Sequence, residues 1–169
     1  MHNKLTLYCQ SLEPLLIWVS ENPDDKDVKY MITRIIRMSL DDPTVFGKPF
    51  MYSLGALNEA NNRSLPDAEH RLQWTRWKSQ DHKGGLQEEN RKGGVFHQEH
   101  ITPVSQIAKM MYELKDINVE SIKTILIDNF KVAWILKSEQ KILDSVNRSG
   151  IRTPEFLTAI GIYIKDFNC

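Results

Sequence analysis

Two stretches of the second half decide the fold: Val95-Phe96-His97-Gln98-Glu99-His100-Ile101-Thr102-Pro103, and Lys131-Val132-Ala133-Trp134-Ile135-Leu136 running straight into Ser138-Glu139-Gln140-Lys141. Residues 131–136 form a short run rich in β-branched and aromatic side chains, which predicts a strand, and Ser138 predicts a capped helix to about residue 146. Val95-Phe96 is a shorter apolar run that predicts a second strand. Helical signals surround both. Pro103 opens a helix over 104–114 with Ile107, Met110, Met111 and Leu114 on one face, and 118–130 carries Ile122, Ile125, Leu126 and Phe130 as its stripe. Thr153-Pro154-Glu155 starts a last short helix that ends near Gly161. The expected class is α+β, predominantly helical, with at most a two-stranded element from the C-terminal half and a helical N-terminal layer.

Working outward to the N-terminus, residues 11–19 read as a short helix with Pro14 in its first turn, stopped at Asn22-Pro23. Asp24, Asp25 and Asp27 then crowd a first turn, Val28, Ile32, Ile35 and Ile36 repeat at helical spacing, and Arg34 and Arg37 fall near the end. Asp41-Asp42-Pro43 closes that helix. Residues 44–52 predict a loop or short extended piece, 54–62 a short helix, and Leu65-Pro66-Asp67 a further helix start. The methionines at 31, 38, 51, 110 and 111 are spaced like core fillers. Residues 81–94, DHKGGLQEENRKGG, hold two Gly-Gly pairs and almost nothing apolar. The expected organisation is a helical region 1–80, a Gly-rich loop 81–94, and a second region 95–169.

Twenty-two Lys+Arg balance 22 Asp+Glu among 169 residues, which excludes a polybasic binder of bulk nucleic acid while leaving room for a local basic patch. Cys9 and Cys169 are too few for a disulfide framework or a thiolate zinc site. The apolar stretch 15–19 is too short for a signal h-region, and no run approaches the ~20 apolar residues of a membrane span. A cytoplasmic protein without membrane contact is expected. No Gly-x-x-x-x-Gly-Lys-Ser/Thr string is present, so no nucleotide cofactor is expected.

Three of the five histidines lie between residues 82 and 100, and two of them flank Glu99. The string Glu99-His100-Ile101-Thr102-Pro103, placed after a strand, resembles the Asp-His-Ile-x-Pro motif of the HNH (ββα-metal) nucleases. The resemblance spans roughly residues 93–148 and implies a small ββα-metal-like C-terminal half, with helices 104–130 inserted between its strands. It implies metal-dependent hydrolysis of nucleic-acid phosphodiester bonds, with His100 activating water and His97 assisting. Glu99 and either Glu139 or Gln140 would hold a divalent cation, Mg²⁺ or Mn²⁺. Neighbouring side chains diverge in extended backbone, so a turn ending in Pro103 must bring Glu99 and His100 to one phosphate. The family's helix ligand is Asn or His; here the first turn offers Glu139 and Gln140 instead.

Arg76, Lys78, Arg91 and Lys92 are the candidate phosphate contacts, with DNA expected ahead of RNA as substrate. Trp74 and Trp77 could stack on bases, but the favoured reading makes them, with Leu72, the buried face of one helix whose opposite face is basic and solvated. His97 and His100 have a structural reading too, as polar residues of a loop entering a helix. A second functional class therefore stands beside the enzyme: a catalytically silent binding or inhibitor protein, of the kind phages encode as accessory factors, docking on a protein or nucleic-acid partner. Net neutrality and the altered helix ligand favour that class.

Overall fold

In the computed structural model, the described residues are 4–42, 45, 51–63, 94–129, 131–147 and 149–165. The architecture is α+β and predominantly helical. The chain forms two compact units, each assembled from both halves of the sequence: Met1–Gly47 with Thr102–Phe130, and Lys48–Ile101 with Lys131–Cys169. Neither follows the sequence segments 1–80 and 95–169, because the chain leaves the second unit after Ile101 and re-enters it at Lys131. Of the expected loop 81–94, all but Gly94 lies outside the described residues.

The first unit is built from α1 (Lys4–Glu21), α2 (Lys26–Asp41), α4 (Val104–Tyr112) and α5 (Val119–Asn129). Its core interleaves Leu5, Leu12 and Leu16 of α1, Ile32, Ile36 and Leu40 of α2, Ile107 and Met111 of α4, and Ile122 and Leu126 of α5. These recur at three- and four-residue spacing, so each helix turns one apolar stripe to a shared centre. Burial in this core pushes the Cys9 thiol up to about 11, which suits an inert packing residue.

Two expectations are corrected here. Helix α1 starts well before residue 11, and Pro14 lies in its interior. Pro14 and Gln10 are both exposed, so the carbonyl that loses its amide donor sits on the solvent side, where water can satisfy it. Of the methionines, Met111 is fully buried, but Met31 and Met38 are 50% and 55% exposed. Helical phase explains this: both fall on the side of α2 opposite Ile32 and Ile36.

The second unit is a four-stranded sheet with α3 (Leu54–Asn62), α6 (Lys137–Asn147) and α7 (Pro154–Ala159). Its strands are β1 (Met51–Ser53), β2 (Phe96–His100), β3 (Val132–Leu136) and β4 (Ile164–Lys165), in the order β2-β3-β1-β4. The sequence led us to expect two strands from the C-terminal half; the three-residue β1 and two-residue β4 are too short to announce themselves by alternation. β2 and β3 pair antiparallel, β3 and β1 parallel, and β1 and β4 antiparallel. An apolar cluster packs on each face of the sheet. Phe96 and Trp134 pack with Tyr52, Ala56 and Ala60 on one side; Ala133 and Ile135 pack with Ile101, Leu143, Leu157 and Ile162 on the other.

Candidate functional site around Glu99

The β2–β3 ladder is continuous, pairing Phe96 with Leu136, His97 with Ile135, Gln98 with Trp134, Glu99 with Ala133 and His100 with Val132. A regular ladder alternates its side chains. His97 and Glu99 therefore share the face of Ala133 and Ile135, the face against which Leu143 of α6 packs, whereas His100 leaves on the opposite face with Gln98 and Phe96. The turn that was expected to bring Glu99 and His100 together begins one residue too late. Ile101 is still tied by its N–H to the Lys131 carbonyl and by its carbonyl to the Arg152 N–H, so extended pairing persists through the acid and its neighbour.

Glu99 is instead enclosed by two cationic or polarisable partners. Its Oε2 lies 3.3 Å from His97 Nε2, and its Oε1 lies 3.1 Å from Arg152 Nε. The Arg152 contact is an ion pair rather than a hydrogen bond along the Nε–H direction. The Arg152 side chain is only 3% exposed and that of Glu99 12%. The guanidinium is further held by the Gly150 carbonyl. Charges this sheltered from water interact strongly, and each would be costly if left alone. Position 152 belongs to no motif in the sequence. Its one sequence cue is a lone arginine between apolar Ile151 and the Thr153-Pro154 helix start.

Glu139 is also committed elsewhere. Strands β1 and β3 run parallel, and each passes directly into a helix, α3 and α6. Glu139 joins the two junctions: its Oε2 accepts from the Leu136 N–H at 2.7 Å, reaching back to cap its own helix, and from Ser53 Oγ at 2.7 Å. Ser53 Oγ in turn accepts from the Ala56 N–H as the cap of α3. This is half of a capping box, with Glu139 rather than the expected Ser138 supplying the cap. A Cβ at Gly55, the second residue of α3, would lie 2.5 Å from Glu139 Oε1, so a side chain there would displace the carboxylate from this position.

The bond to the Leu136 amide puts Glu139 three residues from Ala133, the partner of Glu99, or ~10 Å along the strand. Gln140 is half-buried on α6, three residues before Leu143. Among the described residues, no group of three or more His, Cys, Asp or Glu side chains is gathered as a metal centre requires. A carboxylate already paired with a guanidinium and another spent on two caps make a poor donor set for Mg²⁺ or Mn²⁺, and the residues present do not fit that ion.

Arg76, Lys78, Arg91 and Lys92, together with Trp74 and Trp77, lie outside the described residues. The opposite face of the ladder holds one feature the motif did not announce: Gln98 Nε2 is buried with no hydrogen-bond partner among the described residues. No described helix is long and apolar enough to cross a membrane. Comparison with family models, with curated proteins and with solved structures finds no match for this chain.

Proposed function

We propose that this protein acts by binding rather than by hydrolysis: a catalytically silent docking or inhibitor protein, working in the cytoplasm on a protein partner. The observation that carries the reading is the enclosure of Glu99 between Arg152 and His97 while His100 departs on the other face of the sheet. A general base must share a substrate with the group that stabilises the phosphate, and this strand separates them. The balanced net charge supports a protein partner over bulk DNA.

The nuclease reading remains the second one, favoured by a specific feature of the topology. An antiparallel β2–β3 pair is followed at once by α6, the ββα order of the resembled family, and an imidazole and a carboxylate do face α6 together, His97 and Glu99. In that reading DNA, ahead of RNA, is held by Arg76, Lys78, Arg91 and Lys92, with Mg²⁺ or Mn²⁺ supplied by the medium. The test is incubation of the purified protein with plasmid and with RNA in Mg²⁺, Mn²⁺ or EDTA, beside His97→Ala and His100→Ala. Binding predicts uncut substrate throughout. Metal-dependent cutting abolished by either substitution would overturn it, and the substitution responsible would identify the base.

A further inference from the structure

We draw no further inference here: the strongest candidate, the cavity of about 260 Å³ in the first unit between the end of α1, the start of α2 and the end of α4, has its polar side chains already engaged, Lys29 with the Pro23 carbonyl and the Tyr112 ring, Ser20 with the Ile17 carbonyl and Tyr112 with the Lys29 carbonyl, so nothing in the structure shows what fills it.

Discussion

At the residue scale, the most consequential side chain is one that no motif contains. Arg152 neutralises Glu99 in surroundings where water reaches neither freely. Arg152→Met therefore leaves a sheltered carboxylate with the His97 imidazole beside it and no guanidinium, and should cost about 3 kcal/mol. Removing both charges together, as Glu99→Leu with Arg152→Met, should cost clearly less than the two single changes added, because no lone ion is stranded. Urea denaturation of the four species closes the cycle. Additive losses would show that the pair is not coupled, and would remove the reason for treating Glu99 as a structural anion. The motif reading found His97, Glu99 and His100 by type and spacing, yet it could not see which of them share a face. That depends on where the strand stops.

At the element scale, the helices were legible wherever an apolar stripe and a cap coincide. Helix α2 is an example. Asp25 caps it, accepting from the Val28 N–H at 3.0 Å and the Asp27 N–H at 3.1 Å, and it also accepts from Trp18 Nε1 at 2.9 Å. The Val28 amide foremost, then the Trp18 indole, hold the Asp25 carboxyl below its ordinary value. A carboxyl lowered in the folded state stabilises fully above its unfolded value, near 4, and loses that contribution as pH falls through the folded value. Thermal midpoints of wild type and Asp25→Ala, followed from about pH 6 to pH 2, should therefore converge on acidification. A gap that stays constant, or widens, would mean that the carboxylate's charge plays no part in the cap. The strands were harder to read. β3 is long enough to show its character, but β1 and β4 exist because neighbours pair with them, and pairing is not written in three residues.

At the scale of the whole molecule, cooperativity should follow the units rather than the order of the chain. Helices α1, α2, α4 and α5 feed one core although some 60 residues separate α2 from α4 in sequence. Leu126→Ala, at a fully buried site of α5, should cost about 3 kcal/mol. Amide hydrogen exchange in all four helices should then accelerate together, while the β2–β3 ladder changes less. Acceleration confined to α5 would refute a shared core. The boundaries at 80 and 94 suggested by composition could not anticipate this assembly, because a glycine-rich run shows where chain is unpatterned, and says nothing about which distant stripes will be buried together.

What the amino-acid order determined by itself is local: the helical class, the stripe and cap of α2, the strand at 132–136, the Thr153 cap of the last helix and the short list of residues able to do acid–base work. Those properties depend on neighbours within a turn or two, where spacing and backbone chemistry act directly. The tertiary structure decided the rest: that Glu99 meets Arg152 instead of His100, that Glu139 stitches two helix starts, and that Met31 and Met38 face outward. The reason is that a ladder's register and a helix's buried side are set by contacts between distant segments, and one residue of register reverses which face every side chain occupies.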